Sequence, residues 1–327
     1  MVASDGTRGG GRRQNAGGPV VATAPAKINL ALRVGPRRAD GYHPLNSLFH
    51  AVDLVERVTV GPALAGGDEL SVSGRGAGSV PLDQTNLVWR AAALARREGG
   101  RRGDPVRLRI DKAIPVAGGL AGGSADAAAA LVALNRFWGL GLAGARLIEL
   151  AAELGSDVPF AVLGGNAIGQ GRGETLRPLA AAAPGTAGAL EWVLVTSGEG
   201  MSTPAVFAHF DALGLAAGRS EPPPIPPGLL AGLAAGDPSL VGANLVNDLQ
   251  PAALDLRPDL GHVIGQALAA GAVGAVVSGS GPTLACLAES APAADALARD
   301  LAARLAGTHP PGSILRAAGP APGAAIA

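Results

Sequence analysis

The chain has 327 residues, of which 48% are hydrophobic and 16% charged, and its formal net charge is zero at pH 7. This length is sufficient for two domains with separate cores, whereas the neutral charge gives no support to nucleic acid or an anionic membrane surface as a partner. The single cysteine, Cys286, excludes an internal disulfide framework and a cysteine-based zinc site, and this pattern is typical of a cytoplasmic protein.

The N-terminal part of the chain combines an unpatterned extension with a strand pattern. Residues 1–19 are rich in Gly and Arg, which predicts a disordered extension. The strand pattern at 22–34 contains Lys27 and Asn29. Because two of the 26 basic residues are lysines and the rest arginines, Lys27 indicates a position that requires a compact ammonium group. A strand lysine that extends to solvent is the alternative.

The loop after this strand carries a cluster of polar and aromatic residues. Asp40 and Gly41 predict a turn, and Tyr42, the one tyrosine of the chain, directly precedes His43. Two neighbouring rings in a loop are able to stack on a planar ligand such as a nucleobase. A surface loop whose tyrosine covers a small core is the alternative.

A glycine-rich segment lies between a predicted strand at 106–110 and a predicted helix at 127–137. Glycines allow backbone N–H groups to approach a ligand closely, and a helix N-terminus attracts an anion, so the segment suits a phosphate. The segment matches neither GxxxxGK[ST] nor GxGxxG, so its sequence alone does not identify a phosphate site. A tight turn with Ser124 as the N-cap explains the segment equally well. The segment comprises Pro115, Val116, Ala117, Gly118, Gly119, Leu120, Ala121, Gly122, Gly123 and Ser124.

Two polar residues flank this segment in the chain. Asn86 begins a predicted helix that ends at 97, and it suits the N-cap position. Asp157 follows a predicted helix at 143–154, in an apolar-flanked turn where a carboxylate is not needed for solubility. Stabilisation of an Asx-type turn is the alternative for Asp157.

The remaining elements mix strands and helices without strict alternation, which favours an α+β fold over a doubly wound sheet. No apolar run free of Gly, Pro and charge is long enough to predict a membrane span. Strands are predicted at 52–60, 161–168, 191–196, 274–277, 283–287 and 313–317, and helices at 203–213, 244–254, 258–270 and 292–305.

Three widely separated segments together resemble the three motifs of the GHMP kinase superfamily. They are 25–30 (PAKINL), 115–127 (PVAGGLAGGSADA) and 278–283 (SGSGPT). Two more, 38–45 (RADGYHPL) and 155–160 (GSDVPF), resemble a branch that acts on a cytidine-linked small molecule. The resemblance implies a two-domain α+β fold with the active site in the cleft between the domains. The predicted domains span 20–168 and 169–310, followed by a short strand and a flexible tail at 311–327.

The resemblance also implies roles for the residues above. It implies an ATP-dependent kinase whose glycine-rich segment surrounds the phosphates and whose adenine pocket includes Asn86. Lys27 and Asp157 would form the catalytic pair at the substrate hydroxyl, and Mg²⁺ would be held mainly by ATP with help from Ser124, Glu174 being a weaker candidate. The implied substrate contacts are Asn29, Asp40, Tyr42, His43, Gly279, Ser280, Gly281 and Thr283.

Two alternatives stay open at this point. Another kinase of the superfamily, acting on homoserine or a mevalonate derivative, would not require the run from Asp40 to His43. A non-catalytic ligand sensor of the same fold would have no use for Lys27 together with Asp157. A nicotinamide-dependent dehydrogenase is disfavoured, because the glycine-rich segment comes late and lacks the acidic residue expected after a second strand.

Overall fold

A computed structural model describes residues 18–64, 66–101, 103–180 and 189–327 of the chain. Of the extension predicted at 1–19, all but the last two residues lie outside these ranges. The strands are β1 (Val20–Val34), β2 (Leu45–Pro62), β3 (Glu69–Gly74), β4 (Val106–Lys112), β5 (Asn166–Gly171), β6 (Thr175–Pro178), β7 (Leu190–Val195), β8 (Val246–Asn247), β9 (Gly274–Val277), β10 (Leu284–Ala288), β11 (Ile314–Gly319) and β12 (Ala325–Ile326). The α-helices are α1 (Leu87–Glu98), α2 (Gly122–Phe137), α3 (Gly144–Leu154), α4 (Val158–Leu163), α5 (Thr203–Ala212), α6 (Pro227–Ala235), α7 (Pro238–Ala243), α8 (Gln250–Leu256), α9 (Pro258–Ala269) and α10 (Ala291–Arg304).

These elements form two layered units, which confirms the predicted α+β class. The first sheet has the order β12-β1-β2-β4-β3, with β5 paired to β2, β6 to β5, and β8 to β1. The second sheet has the order β11-β7-β10-β9, and its strands are antiparallel. We call the first sheet with α1–α4 the first unit, and the second sheet with α5–α10 the second unit.

The ladder between β1 and β2 positions two of the predicted site residues. The pairing runs from Val20 to Val34 and shifts register between Pro25 and Ala26 and again between Asn29 and Ala31. Such irregularities bend a strand and redirect its side chains. Lys27 and Asn29 lie between the two shifts and, being two residues apart, they lie on the same face of the sheet.

Helix α2 is the central helix of the first unit. It lies against β1 and β2, and most of its residues are buried, including the run from Ala127 to Ala130. Alanine side chains allow a helix to lie close to its neighbours while retaining high helix propensity. This close packing fixes the N-terminus of α2 beside β1.

Two predicted elements of the chain are wrong, and in each case a local signal explains the difference. The strand predicted at 161–168 is replaced by α4, which begins with a proline in its first turn, and β5 starts only at Asn166. The helix predicted at 244–254 is divided between β8 and α8. β8 forms because Val246 and Asn247 pair in parallel with β1, and this long-range contact was not visible in the sequence pattern.

Of the short strand and flexible tail predicted at 311–327, the strand is present as β11, whereas the residues after it return to the first sheet as β12. Ile326 and Ala325 pair with Ala22 and Thr23 of β1, so the chain returns to the first sheet after β11. The first unit also includes β5 and β6, which extend beyond the predicted boundary at 168. Among the described residues, none of the helices is both long and apolar enough to cross a membrane.

Candidate active site

A cavity of about 840 Å³ lies where the first unit meets α5 and the turn after β9. This position agrees with a site in a cleft between two units. The predicted residues that line it are Lys27, Asn29, Tyr42, His43, Asn86, Pro115, Val116, Ala117, Gly118, Gly119, Ala121, Gly122, Gly123, Ser124, Asp157, Gly279 and Ser280. The predicted residues that do not line it are Asp40, Leu120, Gly281 and Thr283.

Lys27 lies at the floor of this cavity and is 6% exposed. Its Nζ donates to Asn29 Oδ1 at 2.7 Å and to the carbonyl of Gly119 at 3.1 Å. Burial lowers the pKa of Lys27, and the negative charge of Asp157 opposes that shift. The side chain is thus held inside the protein by specific acceptors, and the alternative of a lysine extending to solvent is wrong.

Asp157 lies across the cavity from Lys27, immediately before α4. Its Oδ2 is 3.8 Å from Lys27 Nζ, and its side chain is 33% exposed. The carboxylate makes no cap hydrogen bond to the helix that follows it. The structure therefore gives no support to the Asx-turn alternative, and the carboxylate is available to a ligand.

The glycine-rich segment joins β4 to the first turn of α2. Ala117 and Ala121 have φ values of 53° and 59°, and Gly119 has a φ of 79°. Left-handed backbone is unfavourable for alanine, and strained backbone of this kind is concentrated at functional sites. Ala121 occupies the N-cap position of α2 and Ser124 lies inside the helix, so the prediction of Ser124 as an N-cap is wrong.

The turn after β9 supports this segment from the second unit. The N–H of Thr283 donates to the carbonyl of Gly118 at 3.3 Å, and the Ser278 hydroxyl donates to the carbonyl of Gly119 at 3.1 Å. A Cβ on Gly119 would lie 2.1 Å from the Ser278 carbonyl oxygen, so no other residue fits there. These contacts give Thr283 a supporting position behind the loop, and a contact between Thr283 and the substrate stays a prediction.

Asn86 uses both ends of its amide within the protein. Its Oδ1 accepts from the N–H of Val88 at 2.9 Å and its Nδ2 donates to the carbonyl of Pro81 at 2.8 Å. The N-cap interpretation is therefore confirmed, and the residue also lines the cavity. A contact between Asn86 and adenine stays a prediction.

Tyr42 and His43 point into different surroundings. Tyr42 is 55% exposed, and the guanidinium of Arg172 lies 5.1 Å from the centre of its ring. His43 is buried and stacks on Phe207 at a ring-centre distance of 5.2 Å. The two rings therefore do not form one stacked pair. Asp40 stabilises the loop, because its Oδ1 accepts from the N–H of Tyr42 at 3.0 Å.

Some residues that line the cavity were not identified from the sequence. Phe207 and Asp211 of α5, together with Thr203, come from the second unit, and Arg172 comes from the turn between β5 and β6. An aromatic residue inside a predicted helix is most simply interpreted as part of the core, so the pattern contained no signal for Phe207. Lys112 also lines the cavity, and its signal was available, since it is the second lysine of the chain.

A buried charged cluster lies beneath the glycine-rich segment. Lys112 Nζ contacts Glu56 Oε1 at 2.5 Å and Asp126 Oδ2 at 2.7 Å, and all three side chains are almost fully buried. The Glu56 carboxylate also accepts from the N–H of Ala113 at 2.9 Å and from that of Ile114 at 3.3 Å. The cluster thus fastens the start of the segment, and through Asp126 the start of α2, to β2.

The same cluster makes stability depend on pH. Burial, reinforced by the charge of Asp126 and opposed by Lys112, raises the pKa of Glu56 from 4.5 to about 7. Between these values the folded chain binds more protons at Glu56 than the unfolded chain, so its free energy of unfolding falls as pH rises. We expect Glu56→Gln to remove this dependence, so that its free energy of unfolding relative to wild type increases by roughly 3 kcal/mol from pH 4.5 to 7.

Urea unfolding of both proteins at several pH values measures this difference. His50 supplies the control, because burial lowers its pKa from 6.5 to about 4. Between pH 4.5 and 7 the folded chain binds fewer protons at His50 than the unfolded chain. The free energy of unfolding of His50→Gln relative to wild type should therefore fall as pH rises, opposite to Glu56→Gln. Parallel pH curves for Glu56→Gln and wild type would contradict the prediction.

The comparisons with known proteins agree with this geometry. Residues 86–165 match the family model described as GHMP kinases N terminal domain, and residues 229–307 match the model described as GHMP kinases C terminal. A 4-diphosphocytidyl-2-C-methyl-D-erythritol kinase of Nocardia farcinica is 49% identical over 311 residues, which cover 94% of this chain and 96% of the relative.

Solved structures agree as well. The crystal structure of a 4-(cytidine 5′-diphospho)-2C-methyl-D-erythritol kinase is 34% identical with a TM-score of 0.72, and the match covers 91% of this chain and 98% of that one. A homoserine kinase from Cytophaga hutchinsonii has a TM-score of 0.70 over 96% of this chain and 99% of its own at 20% identity, which shows the fold alone. The chain therefore belongs to the GHMP kinase family, among the 4-diphosphocytidyl-2-C-methyl-D-erythritol kinases.

Proposed function

We propose that the chain transfers the γ-phosphate of ATP to the 2-hydroxyl of 4-(cytidine 5′-diphospho)-2-C-methyl-D-erythritol. The products are ADP and the corresponding 2-phosphate, a step of the methylerythritol phosphate route to isoprenoids. The similarity to 4-diphosphocytidyl-2-C-methyl-D-erythritol kinases supports the substrate. The observation that carries the chemistry is the Asp157 carboxylate, exposed to the cavity 3.8 Å from the buried ammonium of Lys27.

In this proposal Asp157 accepts the proton of the substrate 2-hydroxyl. The oxygen of that hydroxyl attacks the γ-phosphorus of ATP, and ADP leaves. Phosphoryl transfer depends mainly on positioning and on stabilising charge. The Lys27 ammonium would neutralise charge that develops on the transferred group, and its two protein acceptors hold it in one position. Backbone N–H groups of the glycine-rich segment and the N-terminus of α2 would bind the phosphates.

Mg²⁺ belongs to the proposal, and Ser124 is the residue that would help ATP to hold it. The Ser124 hydroxyl lines the cavity in the first turn of α2, and Mg²⁺ accepts such an oxygen together with phosphate oxygens and water. Glu174 is the weaker candidate, because it does not line the cavity and its carboxylate accepts from the N–H of Arg172. When bound with ATP, the ion would neutralise phosphate charge.

The end of the cavity near α5 would take the cytosine of the substrate. Tyr42 and Phe207 supply ring faces there, and an aromatic face attracts a base by stacking. Asn29, Gly279 and Ser280 line the middle of the cavity and would contact the methylerythritol part. The expected location in the cytoplasm and the absence of a nucleic-acid partner are parts of this proposal.

We expect Tyr42→Ala to raise the KM for the cytidyl substrate by at least ~10-fold while leaving the KM for ATP within twofold. Loss of one base–aromatic stack costs about 1–3 kcal/mol, and Tyr42 is exposed, so its removal should not disturb the core. Steady-state kinetics with each substrate varied in turn measures the split. Equal changes in both KM values would remove Tyr42 from base binding.

The substrate itself is tested with a panel. ADP release is measured with magnesium-ATP and the cytidyl substrate, homoserine, mevalonate or galactose. Turnover on the cytidyl substrate alone supports the proposal, whereas turnover on another member keeps the kinase and rejects the substrate. Bound ATP without turnover on any of them would favour a ligand sensor. The fold likeness to a homoserine kinase is the reason to include that alcohol.

A further inference from the structure

The wall of the cavity formed by α5 contains one acidic residue, Asp211, that the proposed chemistry does not use. Its Oδ1 lies 3.2 Å from Nε2 of His43, and its Oδ2 lies 3.8 Å from a terminal nitrogen of Arg37. Arg37 and His43 belong to the loop between β1 and β2, whereas Asp211 belongs to the second unit. The carboxylate therefore connects the two sides of the cavity.

The ring of His43 is fully engaged by the protein. Its Nδ1 lies 2.8 Å from the carbonyl oxygen of Gly35, and because a carbonyl only accepts, Nδ1 donates. Its Nε2 faces Asp211, one face stacks on Phe207, and Phe210 packs at its edge. With Nδ1 as a donor to Gly35, Nε2 donates to Asp211 when the ring is protonated at both nitrogens, and both nitrogens then face the protein.

We propose that Asp211 is the positioning residue of the base-binding end of the cavity: it holds the His43 ring and Arg37 in place, and through them it sets the position of Tyr42 on the cavity wall. This proposal rests on the proposed function, since it concerns the affinity for a cytidyl group. The loop has further internal support, because the side chain of Arg37 donates to the carbonyl of Gly41 at 3.3 Å. Asp211 adds charged contacts between this loop and α5 to the packing of His43 on Phe207 and Phe210.

The role of Asp211 predicts a selective defect. In Asp211→Asn the charge that attracts Arg37 and His43 is lost while the size of the side chain is kept. The KM for the cytidyl substrate should rise at least ~10-fold, because the loop that carries Tyr42 loses its charged contacts to α5 and a small misplacement of a binding group is enough for such a loss. The KM for ATP should stay within twofold, and kcat at saturating substrate should change little.

The experiment combines kinetics with calorimetric binding of cytidine 5′-diphosphate, which requires no turnover. Asp255→Asn is the matched control. Asp255 of α8 pairs at 2.5 Å with His209 of α5, the helix that carries Asp211, and neither Asp255 nor His209 lines the cavity. Turnover of the cytidyl substrate by the wild-type chain tests the proposed function. The ratio of the variant's KM for that substrate to the wild-type KM tests Asp211. A control that changes as much as Asp211→Asn, or equal shifts of both KM values, would overturn the proposal.

A double-mutant cycle tests whether Asp211 acts through His43. If it does, Asp211→Asn should weaken cytidine diphosphate binding much less in the His43→Ala background than in wild type, and the loss that remains is the part carried by Arg37. Fully additive losses would show that His43 does not transmit the effect of Asp211 and would overturn the assignment. If Asp211→Asn does not give folded protein, Asp211→Ser is measured with the same readouts and the same criteria.

Discussion

Replacing Asp157 with Asn is expected to lower kcat by at least ~100-fold. General base catalysis contributes about 10²–10⁴ in rate, and the amide cannot accept the proton of the substrate hydroxyl. The substitution keeps the shape of the side chain, and the carboxylate it removes makes no cap hydrogen bond to α4. Folding, measured by thermal unfolding, and the affinity for ATP should therefore stay close to those of wild type.

The control for Asp157 is the same substitution at a distant carboxylate. Asp300 of α10 forms an ion pair with Arg304 on the surface and does not line the cavity, so Asp300→Asn should leave kcat unchanged. A folded Asp157→Asn protein with kcat within tenfold of wild type would reject Asp157 as the base. In that event its carboxylate would orient the hydroxyl without accepting the proton.

Replacing Lys27 with Met is expected to lower kcat by ~100-fold or more, since loss of one preorganised group that stabilises transition-state charge costs about 10²–10³. Met fills a similar volume but removes the Lys27 donor from Asn29 Oδ1 and from the carbonyl of Gly119, which keeps the Ser278 hydroxyl as a donor. Some stability should be lost as well, so ATP binding is measured by calorimetry at a temperature where the variant is folded.

Lys27→Arg separates charge from shape. The site is buried and presents two separate acceptors to a compact ammonium, which a planar guanidinium does not match. We therefore expect the arginine variant to recover less than a tenth of wild-type kcat despite its charge. Near-normal turnover of either variant, with folding intact, would exclude Lys27 from the transfer step.

The sequence predicted the centre of the site well, because the features there are local. The glycine-rich segment, Lys27 and Asp157 each carry a composition or turn signal, and their order along the chain resembles known motifs. The structure places Lys27 and Asp157 on one cavity together with most of the segment. Within the same motifs, Leu120 and Thr283 do not line the cavity, and the N–H of Thr283 donates to the carbonyl of Gly118, a distinction that spacing alone does not contain.

The outer parts of the site could not be predicted, since they depend on contacts between distant parts of the chain. Phe207 reaches the cavity because α5 packs beside the loop that carries His43, at a ring-centre distance of 5.2 Å. β8 exists because β1 offers a free edge to Val246 and Asn247. A pattern of apolar residues predicts that a helix or strand has a buried face, but it does not identify the partner that covers that face.

The return of the chain end to the first sheet has a consequence for protein engineering. Backbone hydrogen bonds tie residues 321–327 to the first unit, from Ala321 to Ala51, from Ala324 to Ala161 and from Ala327 to Val21. The second unit is therefore inserted within the first along the chain, and the first sheet is complete only once residues 321–327 have joined it. A deletion of these residues, or a fusion that displaces them, would act on the first unit, although most of that unit lies far from them along the sequence.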